Sequence, residues 1–209
     1  MVHGRLRQTR ELFERAVITS AEVSDVETSG LVNGYLTHVH LACGEFERAY
    51  ALASTTLQRV QQDGVGLSLG MAQQMLGRTE IALGKLTVAR EHLHDAVSID
   101  RHGALYFFCW ALVGLGTLER LEGNLQAAHN HGEQALDSAR RLGSGWMQAG
   151  AERLLARVAL ASGKTSDAQQ YAHDALRRLQ AKGLALDIPE CLDILAAIAA
   201  AQEKFDQAA

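Results

Sequence analysis

A glycine recurs along this chain at a nearly fixed interval: Gly4, Gly44, Gly84, Gly123 and Gly163 are separated by 40, 40, 39 and 40 residues. A period of that size constrains the fold strongly, because each repeat is one supersecondary unit that cannot bury its apolar face without a neighbour. One further step reaches Glu203, inside the segment AAAQEKFDQAA. The columns around the glycines agree. Five residues on stand Thr9, Ala49, Ala89, Ala128 and Ala168; twelve on stand Ala16, Thr56, Ala96, Ala135 and Ala175. The next position is always aliphatic, with Val17, Leu57, Val97, Leu136 and Leu176. Eight residues before the turn is a leucine (Leu36, Leu76, Leu115, Leu155, Leu195), followed by Thr37, Gly77, Gly116, Ala156 and Ala196.

Each unit reads as a helical hairpin. Leu155, Val158, Ala159 and Leu160 before Gly163, and Ala168, Ala172, Ala175, Leu176 and Leu179 after it, recur at helical spacing. Glycine ends the first helix because it enters the left-handed conformation cheaply, and the alanine columns let two backbones approach. A second glycine-containing stretch closes each unit, at Gly64-Val65-Gly66, Gly103, Gly143-Ser144-Gly145 and Gly183. Composition concurs. A single proline and 5% aromatic residues argue against sandwiches and barrels, while 47% hydrophobic and 21% charged residues argue against disorder. The expected fold is all-α, a right-handed superhelix of about five antiparallel hairpins. It forms one domain over 1–209, with a partial repeat 1–25, repeats 26–64, 65–102, 103–143 and 144–183, and a partial repeat 184–209.

The run ALASGKTSDAQQYAHDAL, Ala159 to Leu176, resembles the tetratricopeptide repeat in its turn glycine, its two helix-B alanines and its closing leucine. The resemblance extends over nearly the whole chain. The family's period is about 34 residues, so the helices here are longer. The large aromatic residue of the family's first helix, four residues before the turn, is replaced by His40, Glu80, Glu119 and Ala159, and the proline that ends each repeat is missing. With its LxxLG-type turns and RLG endings, the chain is similar to the long-helix repeats of bacterial regulators of the maltose-activator type. Those proteins join a nucleotide-binding switch, a helical-repeat sensor and often a LuxR-type DNA-binding helix-turn-helix. The resemblance implies a non-catalytic scaffold for protein–protein interaction or effector sensing within a cytoplasmic transcriptional regulator. Two alternatives are a free-standing adaptor and the helical tail of a nucleotide-dependent enzyme (an ATPase switch or a cyclase) whose active site lies elsewhere.

A net charge of −4 and a pI near 6.1 disfavour nucleic-acid binding by this chain. The opening MVHGRLRQTRELFERA has no apolar h-region, and the longest apolar stretch, Ala104 to Leu115, is shorter than the roughly 20 residues that span a bilayer, so no membrane partner is expected. Cys43, Cys109 and Cys191 form no CxxC pair and read as reduced core thiols of a cytoplasmic protein. Gly4 to Val17 match only a turn and a second helix. Asp187 to Gln202 match a first helix, after which FDQAA begins a second one, so a piece of a longer protein is expected. Apolar residues of those open ends (Leu12, Phe13, Ile194 and Phe205) are candidates for self-association.

No GxxxxGK[ST], strand-linked GxGxxG, HExxH, GxSxG or CxxC occurs, and no catalytic, cofactor-binding or metal-ligating residue is assigned. His38/His40, His92/His94 and His129/His131 are two residues apart, so helical geometry splits each pair between faces. The stretch Leu105 to Trp110, with Cys109 inside it, reads as inter-repeat core rather than a ligand wall. In tetratricopeptide-like superhelices, the positions ten and six residues before the turn line the concave groove. Here they hold Gln74 and Arg78, Val113 and Thr117, then Arg153 and Arg157. Arginines four apart share a helix face and suit a carboxylate or phosphate. His38, Gln74, Arg78, Arg153 and Arg157 are therefore the candidate lining for an acidic or phosphorylated peptide. The family's lysine–asparagine carboxylate clamp is absent, and the competing expectation pairs these arginines with Glu119, Glu152 or Asp193.

Overall fold

Gly44, Gly84, Gly123 and Gly163 all hold positive φ (74°, 73°, 85° and 73°), as do Gly143 and Gly183 between repeats (64° and 67°). A side chain at such a φ is strained, which is why glycine recurs there. The computed structural model describes residues 11–12, 14–19, 25–63, 66–99 and 105–208, and every regular element among them is helical. The chain divides into two compact units, Met1–Gly114 and Leu115–Ala209. The first holds α1 (Val26–Ala42), α2 (Phe46–Asp63), α3 (Gly66–Ala82) and α4 (Leu86–Ile99); the boundary falls within α5 (Leu105–Leu121). The second holds α6 (Leu125–Arg141), α7 (Gly145–Ala161), α8 (Thr165–Ala181), a 3-10 turn (Ala185–Asp187) and α9 (Ile188–Ala208).

One turn chemistry serves every hairpin. At the first, the Gly44 amide donates to the Leu41 carbonyl (3.1 Å) and the Glu45 amide to the His40 carbonyl (2.9 Å), the paired bonds that close a helix through a left-handed glycine. Lys85 to Glu80, Asn124 to Glu119 and Lys164 to Ala159 repeat the second bond at 2.8, 2.8 and 2.9 Å. The residue four before each glycine therefore supplies the capping carbonyl, and its side chain is engaged as well in three of the four. The Nδ1 of His40 lies 2.6 Å from Glu45 Oε2, Asn124 donates to Glu119 Oε2 at 2.8 Å, and His92 Nδ1 lies 2.7 Å from Glu80 Oε2. Polar clasps thus occupy the place where tetratricopeptide repeats put an aromatic ring.

The small columns are the seams of the hairpins. Ala49, Ala89, Ala128 and Ala168 are fully buried, as are Ala96, Ala135 and Ala175. A Cβ on Gly116 would come within 2.5 Å of Leu154 Cδ2 and 3.2 Å of the Ala128 carbonyl, so only glycine lets α5 approach its neighbours there. Leu36, Leu76, Leu115 and Leu155 are buried in the leucine column. In unit 1, Met71, Met75 and Phe107 pack with Leu31, Tyr35 and Tyr106, which makes the aromatic stretch core, as expected. In unit 2, Ala156, Ala159, Ala168 and Ala172 pack against Ile194 and Ile198 of α9.

Three expectations need correction. Ile194 is 1% exposed within that core and is not available for self-association. Cys43 is exposed rather than packed, because it is the last residue before the turn glycine; Cys109 and Cys191 are buried. The helix α9 runs without interruption past Glu203, so FDQAA prolongs it instead of opening a second helix: no glycine stands there to stop it. Leu12 is 65% exposed, whereas Phe13 and the side chain of Phe205 lie outside the described residues. So do Gly4, Thr9, Gly64, Val65 and Gly103.

Candidate functional site

Successive first helices are tied at their starts by the same pair of repeat positions in both units. Glu27 of α1 accepts from the Ser68 amide (3.0 Å) and hydroxyl (2.6 Å) at the start of α3. In unit 2, Trp146 of α7 donates its indole N–H to Asp187 Oδ2 at 2.7 Å. Each pair is 41 residues apart, about one repeat. These ties set the register in which the side chains six residues before a turn meet the next first helix.

In unit 1 that register brings Arg78 over Trp110, 5.2 Å from the ring centre, a cation–π arrangement. Arg78 is half-buried, whereas His38 and Gln74 are 5% and 0% exposed. Gln74 therefore presents no side-chain surface, and its amide has no hydrogen-bond partner among the described residues. Of the three candidates in this unit, only Arg78 reaches the surface.

In unit 2 the equivalent step brings Arg157 to Glu190, with Nε 3.5 Å from Oε1. Arg153, one turn earlier on α7, is 4% exposed; its Nε lies 3.1 Å from Glu190 Oε2 and its Nη2 lies 3.4 Å from Asp187 Oδ1. Burial works against the Arg153 charge, but Glu190 and Asp187 outweigh it and hold its pKa above the usual value. These partners differ from the Glu119, Glu152 and Asp193 expected from the sequence; Glu152 is instead held by Arg178 Nε at 2.9 and 3.0 Å. Arg157 and Glu190 remain open to solvent, with side chains 36% and 45% exposed.

A third arginine belongs to this group and has no counterpart among the sequence candidates. Arg120, near the end of α5, is half-buried, and its Nε is buried without a hydrogen bond among the described residues. Burial and the neighbouring Arg157 charge lower its pKa, with Glu190 opposing them. Arg153 and Arg157 therefore share Glu190, which acts on Arg120 only from farther away. Arg120 stands three residues before the turn, outside the positions that family geometry marks as lining, so only the fold reveals it.

No cluster of three His, Cys, Asp or Glu side chains among the described residues is placed to hold a metal. His40 and His92 serve the turn clasps instead. Where Ala159 replaces the clasp residue, a cavity of about 130 Å³ opens, lined by His129, Ser162, Lys164, Asp167 and Tyr171 among others. Burial drives the Cys109 thiol up to about 12 and Cys191 up to about 11, so neither is a nucleophile at neutral pH. No helix among the described residues is long and apolar enough to cross a membrane.

Solved structures resemble this arrangement. The putative kinesin light chain of Podosopora anserina, described as nearly identical TPR-like repeats, superposes in a singly substituted form with a TM-score of 0.54 at 19% identity, covering 87% of this chain and 90% of that one. A second structure of the same repeats gives 0.52 at 21% identity, with the same coverage. The chain has the TPR-like repeat fold. BtubC (BKLC) from P. vanneervenii shares this TPR-like architecture at a TM-score of 0.60 and 17% identity, covering 95% of this chain and 92% of that one. No protein-family profile matches the sequence. No curated protein does either.

Proposed function

We propose that this TPR-like chain is a non-catalytic scaffold that binds a protein or an acidic peptide through its first-helix face. Arg157 carries the reading: it is a partly exposed guanidinium at a repeat position whose neighbours are fixed by part-buried ties. Arg153, locked beneath it, supplies positive potential from within, and in unit 1 Arg78, with Gln74 and His38 behind it, plays the corresponding part. Partly exposed arginines on first helices suit an extended peptide or a domain better than an enclosed small metabolite. The long-helix repeat pattern favours a place in a bacterial regulator of the maltose-activator type, with the scaffold as its sensor or partner-docking arm in the cytoplasm.

The test is affinity capture from cell extract with the intact chain and with the Arg78→Ala/Arg157→Ala double variant, both shown to be folded by far-UV circular dichroism. Proteins held by the intact chain at low salt and lost from the double variant are the expected result. Equal capture by both contradicts the reading. Contacts of this kind weaken with salt because the Debye length is about 8 Å at physiological ionic strength.

A further inference from the structure

We propose that the cavity beside Ala159 in unit 2 binds a monocarboxylate on a short aliphatic stem, with Lys164 as its counter-charge. The other described hairpins show what this place holds. Each keeps a carboxylate oxygen in its polar clasp: Glu45 Oε2 lies 2.6 Å from His40 Nδ1, Glu80 Oε2 lies 2.7 Å from His92 Nδ1, and Glu119 Oε2 accepts from Asn124 at 2.8 Å. In two of these clasps the residue after the turn glycine, Glu45 or Asn124, is one of the partners. Lys164 takes that position in the fourth hairpin, while Ala159 brings only a methyl group where Glu80 and Glu119 bring carboxylates. The Lys164 side chain forms no ion pair among the described residues. Tyr171 stands in the column of His92 and lines the cavity, but its hydroxyl donates to Glu133 Oε1 at 3.2 Å.

The start of α6, the end of α7 and the start of α8 enclose about 130 Å³ here. One water needs about 10–15 Å³, so a group of several heavy atoms fits. Leu125, Val158 and Ala159 give the cavity an apolar wall on which an aliphatic stem sheds water. Lys164, exposed at its edge, offers the carboxylate charge-assisted hydrogen bonds. Asp167 is also in the lining and repels a second negative charge, which favours a monocarboxylate over a phosphate or a dicarboxylate. Neither Arg153 nor Arg157 lines the cavity, so the inference goes beyond the acidic-partner reading and does not rest on it.

The experiment follows backbone amide shifts of the 15N-labelled full chain during titration with sodium propionate, against sodium chloride at equal ionic strength. A second titration uses acetyl-Ala-Glu-Ala-amide. Propionate presents the group as a free acid and the peptide presents it as a side chain, so the one that saturates at lower concentration identifies the source. The expected result is saturable shifts confined to residues lining the cavity. Ala159→Glu places a carboxylate there from within and should abolish them. Lys164→Ala, at an exposed position and independent of how Ala159→Glu folds, should weaken binding about threefold to fivefold. Lys182→Ala removes the same charge from another exposed turn and should leave binding unchanged. Shifts matched by chloride, shifts that persist in Ala159→Glu, or equal effects of Lys164→Ala and Lys182→Ala overturn the inference. Saturable binding of methylammonium in place of both carboxylates also overturns it, because Asp167 and not Lys164 then sets the ligand.

Discussion

Arg153 Nη2 lies 3.4 Å from Asp187 Oδ1, and the two side chains are 4% and 6% exposed. This pair joins α7 to the 3-10 turn that leads into α9, so it holds the last described hairpin to the helix that follows. Removing one partner of a buried pair leaves the other charge uncompensated, which costs about 3–5 kcal/mol. Arg153→Ala should therefore lower the melting temperature markedly. Arg157→Ala, whose partner Glu190 is nearly half exposed, should cost less than about 1 kcal/mol. Thermal denaturation followed by circular dichroism separates the two. Equal effects would contradict the burial of the Arg153 pair.

The seams give a second expectation. Ala135 and Ala168 are fully buried between helices, and leucine at either overpacks a seam by about 1–3 kcal/mol. In a chain of this size that lowers Tm by about 2–4 °C for each kcal/mol. Unchanged Tm in both variants would contradict the hairpin packing.

Ala159 gives an expectation of opposite sign. Glu80 and Glu119 show what a glutamate does at this repeat position, and Lys164 stands where Asn124 serves Glu119. Ala159→Glu should enter the cavity and pair with Lys164, with Asp167 opposing part of the gain. The expected rise is about 0.5–2 kcal/mol, typical of filling a cavity. A fall in Tm would show that the space is closed to a side chain.

Thiol chemistry reports on burial directly. A thiol pKa raised by burial means less thiolate at any given pH, so Cys109, at about 12, stays neutral and shielded through pH 9. Cys191, at about 11, behaves likewise, while Cys43 is exposed. Ellman's reagent at pH 8 should titrate one thiol in the native chain and three in denaturant. Rapid reaction of a second thiol in the native chain would place Cys109 or Cys191 at the surface.

The hairpins are legible in the sequence because glycine, alanine and leucine each report one backbone fact: a left-handed turn, a close approach and a buried face. The site is legible only in part. Helical spacing correctly puts Arg153 and Arg157 on the same stretch of α7, but depth below the surface depends on the next helix, and sequence spacing does not give the register of that contact. The register is regular once seen. The residue six before a turn meets the residue thirteen before the next, as Arg78 meets Trp110 and Arg157 meets Glu190. Arg120 is invisible to the repeat alignment because no column carries it; its neighbours come from helices one and two repeats along. The end of α9 departs from the repeat because Glu203 stands at the expected interval without the glycine that makes a turn.

The binding face itself is tested most directly by site-specific photocrosslinking. A benzoylphenylalanine is placed at Thr117, six residues before its turn on α5, or at exposed His173 on the second helix of a hairpin, and each chain is irradiated with its captured partner. The expected result is a covalent adduct through position 117, reduced by Arg157→Ala and by added salt, with none through position 173. Adducts formed through 173 and absent from 117 would contradict the claim that the first-helix face receives the partner.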